Sequence, residues 1–133
     1  MSRTGAQILV DQLIQQEVTD IFCVPGESYL AVLDALHDAD IRVTVCRQEG
    51  GAAMMADASA RLTGRPGVCF VTRGPGATNA SAGVHIAQHD GVPLLLFIGQ
   101  VGRDMRGRGA FQEVDYSAFY GSIAKAVIEI DNP

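Results

Sequence analysis

Along the chain, apolar residues alternate between helical spacing and short unbroken runs. Thr4 is placed to cap a helix predicted over 5–17, where Ile8, Leu9, Leu13 and Ile14 form one stripe. Ile21-Phe22-Cys23-Val24 is an unbroken apolar run stopped by Pro25-Gly26, which predicts a buried strand. Ser28 caps a second expected helix carrying Leu30, Leu33 and Leu36, and 41–45 reads as a second strand. An alanine-rich helix is predicted over 50–62, a third strand over 67–72, a fourth helix over 78–89 and a fourth strand over 94–98. A loop rich in glycine and arginine (101–109), a short helix near Tyr116 and a last strand over 124–130 complete the expected order.

Short strands that are apolar on both faces and separated by helices belong to a parallel sheet covered on both sides. The crossovers should be right-handed. The fold expected is α/β: a three-layer, doubly wound, mainly parallel sheet of flavodoxin-like or Rossmann-like type, with helices on both faces. Residues 1–133 suit a single domain. Asp131-Asn132-Pro133, directly after an expected strand, reads as entry to a linker, so the domain is expected to be a fragment of a longer chain; a small subunit is the alternative.

The net charge of −5 argues against a nucleic-acid surface. No run reaches the roughly 18 apolar residues of a membrane span, and Met1-Ser2-Arg3-Thr4 lacks the apolar core of a signal peptide. Cys23, Cys46 and Cys69 form no CxxC pair and each lies in an apolar run. They read as buried free thiols in a reducing compartment, which makes a cytoplasmic location the expectation and a disulfide framework or zinc site not.

In open parallel sheets, ligands bind beyond the carboxyl ends of the strands. The unusual residues fall at that edge: Pro25-Gly26-Glu27, Arg47-Gln48-Glu49-Gly50-Gly51, Arg73-Gly74-Pro75-Gly76-Ala77-Thr78-Asn79 and Gly99-Gln100. Together they predict a crevice with close backbone approach and two carboxylates. Gly74 to Asn79 invites a phosphate-loop reading, but Asn79 replaces the third glycine of the dinucleotide fingerprint and no GK[ST] follows. A tight turn packing a helix on a strand stands beside it. Glu49 can be a first-turn glutamate complementing a helix dipole. Yet Gly50, Gly51, Ala52 and Ala53 leave no bulk beside it, so a flat group can lie against a carboxylate able to hold a proton.

Other candidates are weaker. His85 and His89 are four apart, as a metal pair would be, with no third ligand at suitable spacing; an interface residue and a helix end are the alternative. Arg103, Arg106 and Arg108 suit an anionic or CoA-like group, or a solvated loop. Met54 and Met55 read as core or interface filler, and the small residues from Gly50 to Ala60 would let a partner pack closely.

Taken together, Val24-Pro25-Gly26, Arg47 to Ala53, Ala56-Asp57, Ala60-Arg61, Thr63 to Val68, Thr72 to Asn79, Gly99-Gln100 and Ala110-Phe111-Gln112-Glu113 resemble the N-terminal, pyrimidine-binding domain of thiamine-diphosphate enzymes, most nearly the acetolactate synthase group. The order and spacing of these markers, over nearly the whole chain, carry the resemblance. It implies that Glu49 hydrogen-bonds N1′ of the cofactor's aminopyrimidine and favours the imino tautomer, whose 4′ nitrogen takes the thiazolium C2 proton. The resulting ylid attacks a 2-oxo acid, and carbon dioxide leaves. Pro25 and Gly26 match positions against the pyrimidine, Thr72, Pro75 and Asn79 match the turn of the same pocket, and Phe111 and Gln112 match a segment bordering the substrate channel.

The departures are informative. Acetolactate synthases usually carry Pro-Gly-Gly where this chain has Pro25-Gly26-Glu27, and several 2-oxo acid decarboxylases carry an acid there. Glu27 is therefore expected in the substrate channel, touching substrate or relaying protons; a helix-entry glutamate is the alternative. Gln48 stands where many relatives have histidine. The family binds the cofactor's diphosphate through Mg²⁺ on a separate domain marked by Gly-Asp-Gly…Asn, and no Gly-Asp-Gly occurs here. That domain usually comes from a partner subunit, so the resemblance implies half a site, an inactive isolated chain and a homodimer or tetramer. An FAD site, where present, would lie outside these residues. The rivals are a Rossmann-like nucleotide-binding module using Gly74 to Asn79 and a non-catalytic oligomerisation domain.

Overall fold

The computed structural model describes residues 3–132; Met1 and Ser2, read above within a start that lacks a signal peptide's apolar core, and Pro133, read as linker entry, lie outside them. The elements are α1 (Gly5–Gln15), β1 (Asp20–Cys23), α2 (Leu30–His37), β2 (Arg42–Val45), α3 (Glu49–Thr63), β3 (Gly67–Val71), α4 (Pro75–Asp90), β4 (Leu94–Ile98) and α5 (Tyr116–Tyr120), with 3₁₀ turns at Glu27–Tyr29 and Arg103–Met105. The strands form one parallel sheet in the order β2-β1-β3-β4.

Residue chemistry accounts for the element boundaries. Thr4 and Gln7 close a capping box at the start of α1. The Gln48 side chain accepts from Gly51 N–H at the start of α3. Both α3 and α4 end on left-handed glycines, Gly64 (φ +70°) and Gly91 (φ +67°).

Two cores lie on opposite faces of the sheet. Val10, Leu13, Tyr29 and Leu36 from the α1–α2 side meet Ile21, Cys23, Val68 and Phe70. Ala52, Ala53, Ala56, Ala77, Ala80 and Val84 of α3 and α4 meet Cys69 and Val71. β3 alternates between them, which is why every residue of it is buried. The β1-to-β2 crossover through α2 runs one way along the sheet and those through α3 and α4 run the other. Right-handed crossovers then require α2 and the α3–α4 pair to cover opposite faces, as they do. α3 and α4 approach closely because Gly83 lacks a Cβ, which would lie 2.5 Å from Ala53 Cβ.

The doubly wound fold expected from the apolar pattern is present, with four differences. Only the inner strands are covered on both faces; Arg42 and Val45 of β2 are exposed because β2 is an edge. Helix α4 begins at Pro75, with Gly74 as its N-cap, so the glycine-rich segment is mostly helix first turn. Ser28 does not cap α2, whose N-cap is Tyr29 without a side-chain bond. And 124–130 forms no strand. Among the described residues it makes no backbone hydrogen bond to β4, because a groove of about 940 Å³ separates the two. A ladder needs strands roughly 4.8 Å apart. Val127 packs on the core while Ile128 and Ile130 stay exposed, and Arg106 holds the segment through Glu129 and Asp131.

Cys23 and Cys69 are buried free thiols, Cys46 a half-buried one. Burial pushes the Cys69 thiol up to about 12. Among the described residues, no cluster of His, Cys, Asp and Glu suits a metal, and no helix is long and apolar enough to cross a membrane. His85 and His89 meet edge to face, 4.5 Å between ring centres.

Candidate functional site

At the carboxyl end of the sheet, the loops after β1, β3 and β4 meet at Ser28. Its hydroxyl shares a 2.8 Å hydrogen bond with Thr72 Oγ1 and accepts one from Arg73 N–H at 3.2 Å. A Cβ on Gly99 would lie 2.0 Å from Ser28 Oγ, and one on Gly26 would lie 2.4 Å from Thr72 Cβ. Glycine is thus required at both positions by close approach of neighbouring chain. Ser28 was expected at a helix cap and instead ties three strand ends together.

The β2 loop joins through α3 and α4. Glu49, half-buried, opens α3, and its Oε2 accepts from Asn79 Nδ2 at 3.0 Å. Its Oε1 accepts no hydrogen bond among the described residues. Gly76 lies between Glu49 and Thr72: a Cβ there would meet Thr72 Cγ2 at 2.8 Å and Glu49 Oε1 at 3.4 Å. Gly26, Thr72, Gly76, Glu49 and Asn79 therefore lie side by side at the carboxyl edge, the candidate recess. Pro25 and Pro75 are exposed at its rim. Below it, Tyr29 donates to the Val24 carbonyl at 2.5 Å and so fixes the turn into Pro25-Gly26. Burial pushes the Tyr29 phenol up, with Cys23, Cys69 and Glu49 nearby adding to the effect, so the phenol stays a donor.

The start of α4 suits a phosphate poorly. Gly74 N–H already donates to Tyr116 Oη at 3.0 Å, and Pro75 has no N–H. Gly74 takes φ +60°, and a Cβ would lie 2.7 Å from the Gln112 carbonyl. The turn thus packs β3, α4 and Gln112 together, as the tight-turn reading expected. Gln112 itself adopts φ +65°, which L residues avoid and which surrounding contacts must enforce.

Glu27 opens the 3₁₀ turn after β1 and pairs with Arg73. Phe111 is 76% exposed, and its carbonyl accepts from Arg73 Nε at 3.2 Å. Arg73, Ser28, Tyr29 and Tyr116 were not singled out as site residues from sequence. Arg73 carried a signal, a lone cation at the end of an apolar strand; the others became visible only through their partners. Arg103 bonds the Asp131 carbonyl and Asn132, Arg106 pairs with Glu129 and Asp131, and Arg108 donates to the Asp104 carbonyl at 3.3 Å, so all three loop arginines are engaged within the chain.

The loop before Phe111 is folded around Glu113, whose carboxylate accepts from Gly107 N–H at 2.5 Å and Ala110 N–H at 3.1 Å. The Gly107 amide first, then those of Ala110, Gly109 and Arg108, hold this carboxyl below the ordinary glutamate range against some desolvation. A lowered folded-state pKa contributes order that is present above the ordinary value and lost as pH falls through the lowered one. Exchange at the Gly107 and Ala110 amides, corrected for intrinsic rates, is therefore expected to be faster at about pH 3 than at about pH 6. Equal protection at both would sink this role for Glu113.

At this edge Glu49 offers a carboxylate oxygen that accepts no hydrogen bond among the described residues, next to a glycine with no room for a side chain. Comparison with known proteins gives the family. The sequence model of the family described as "Thiamine pyrophosphate enzyme, N-terminal TPP binding domain" matches residues 3–119. The acetolactate synthase of Bacillus subtilis (strain 168) is 41% identical over 128 residues, 96% of this chain and 22% of that protein. The acetolactate synthase large subunit of Pyropia yezoensis is 42% identical over 135 residues, 98% of this chain and 23% of that one. The acetolactate synthase isozyme 2 large subunit of Escherichia coli (strain K12) is 46% identical over 111 residues, 84% and 20% respectively. The chain thus spans about a fifth of the length of the curated relatives it matches. On the family match over residues 3–119, the chain belongs to the thiamine pyrophosphate enzymes, as an N-terminal TPP binding domain.

Proposed function

We propose that this domain supplies the pyrimidine-binding, cofactor-activating half of an acetolactate-synthase-like site for carboligation or decarboxylation of 2-oxo acids. The observation that carries the reading is Glu49: one carboxylate oxygen is held by Asn79, and the other, beside Gly76, accepts no hydrogen bond among the described residues. In this reading Glu49 holds a proton on N1′ of the aminopyrimidine. Asn79 fixes the carboxylate rotamer, and Pro25, Gly26, Thr72 and Pro75 border the ring. Phe111 and Gln112, with Glu27 beside them, border the 2-oxo acid. Thiamine diphosphate, when bound, supplies the electron sink for the carbon–carbon bond that breaks or forms.

The diphosphate and its Mg²⁺ belong, in the same reading, to a domain outside these residues, on a partner subunit of a homodimer or tetramer. Residues 1–133 are then one domain of a longer chain, and any FAD lies elsewhere in it. The reading is supported by the relatives' names and by their greater length.

Calorimetry and turnover assays test it. The isolated 133-residue chain is expected to bind thiamine diphosphate weakly and to decarboxylate no 2-oxo acid. Turnover by the chain alone would refute the half-site. Tight binding of a dinucleotide would favour the nucleotide module instead.

A further inference from the structure

Arg73 stands at the junction of three segments. Its side chain is only 14% exposed, whereas that of its partner Glu27 is 69% exposed. Nη2 pairs with Glu27 on the β1 loop, and Nε donates to the Phe111 carbonyl at 3.2 Å. Its own backbone N–H donates to Ser28. One guanidinium thus spans from the β1 loop to the 110–112 segment, above the turn at Gly74. A cavity of about 220 Å³ opens beside it, lined by Arg73, Gln100, Val101, Met105, Ala110 and Phe111 among others. Among the described residues, Arg73 is the only ionic side chain in that wall.

We infer that Arg73 is a positioning residue that sets specificity: it clamps the Phe111–Gln112 segment to the β1 loop, and the clamp sets the width of the cavity that receives the 2-oxo acid side chain. The specificity claim rests on the function proposed above; the clamp itself does not. Two observations support it. The guanidinium is nearly out of water, so its charge must be matched, and Glu27 is the carboxylate that matches it. Gln112 is held at φ +65° against its own preference, so release of the neighbouring Phe111 carbonyl lets that backbone relax. Lysine cannot replace this arginine, because an ammonium lacks the fork that reaches two acceptors along separate directions.

The test uses the complete protein and two readouts. Backbone amide exchange at 110–113 is expected to accelerate roughly tenfold in Arg73→Met, the size of one lost charge-assisted hydrogen bond. Glu27→Gln should give a smaller rise and Arg73→Lys little rescue, with β3 amides unchanged. Unchanged exchange at 110–113 overturns the clamp, whatever the substrate. The second readout is the ratio of kcat/KM between 2-oxo acids with a methyl and with a branched side chain. Arg73→Met is expected to move it roughly tenfold toward the branched acid, the scale on which pocket size discriminates, without changing thiamine diphosphate affinity. Faster exchange with an unmoved ratio overturns the role in specificity. If the wild-type protein turns over no 2-oxo acid, the proposed function fails on its own, the specificity claim falls with it, and exchange alone decides the clamp.

Discussion

Glu49→Gln in the complete protein is expected to lower kcat by about 10²-fold or more, the usual share of a positioned acid–base group, while leaving the fold intact. Glutamine keeps the length of the side chain, and its amide oxygen can still accept from Asn79, so the α3–α4 contact at Glu49 survives. What it lacks is the negative charge that holds a proton on a ring nitrogen. A hundredfold loss corresponds to about 2.7 kcal/mol of barrier. The competing account treats Glu49 as a first-turn glutamate at the start of α3. Removal of such a charge costs about 0.3–1 kcal/mol of stability and no chemistry. The two accounts therefore predict opposite patterns: a kinetic loss with near-normal unfolding, or a small stability loss with normal turnover. Glu49→Asp retains charge but draws the carboxylate back, so it is expected to fall between wild type and glutamine. Unchanged kcat in Glu49→Gln would leave the domain an oligomerisation unit with a vestigial recess.

The fold was legible because its inner strands cannot be anything else. Ile21 to Val24 and Gly67 to Val71 are apolar without interruption, bounded by glycine and proline, and separated by helical stripes. Buried parallel strands require all of that. The edge of the site was legible for a related reason: glycine, proline and charge recur where each strand ends, and Gly26, Gly74, Gly76 and Gly99 are glycine because a Cβ would collide with neighbouring chain.

What sequence could not supply is partner choice. Ser28 has the chemistry of a helix cap and of a cross-loop link, and only the approach of Thr72 and Arg73 selects the second. Residues 124–130 alternate like a strand, but alternation describes which side chains face the core, not whether a ladder forms. Val127 satisfies the pattern while the backbone stays off β4. The Arg73 pair spans 46 residues, and no local pattern encodes a separation of that kind.

Phe70→Ala is expected to destabilise the chain by about 3–5 kcal/mol, as large aromatic truncations in cores do. Phe70 is 2% exposed and lies on β3, an inner strand of the sheet. Its ring stacks on Phe97 at 4.6 Å and on Tyr29 at 5.9 Å between centroids. Sheet and α2-side core meet there, so the surroundings cannot collapse without moving β1 or β4. A marginally stable domain has only about 5–15 kcal/mol in total, so the variant sits near the limit of folding. With a slope of about 1–3 kcal/mol per molar urea, the unfolding midpoint should drop by more than about 1 M. Phe70→Leu keeps most of the volume and gives a foldable control, expected to lose much less. The effect should reach the site as well. Tyr29 loses a ring neighbour, and its hydroxyl holds the Val24 carbonyl at the entry to Pro25-Gly26. In the complete protein, Phe70→Leu is therefore expected to weaken thiamine diphosphate binding more than Ile41→Val, a truncation in the same core farther from the recess. Equal binding in the two variants would show that the Tyr29 strut does not transmit core packing to the recess.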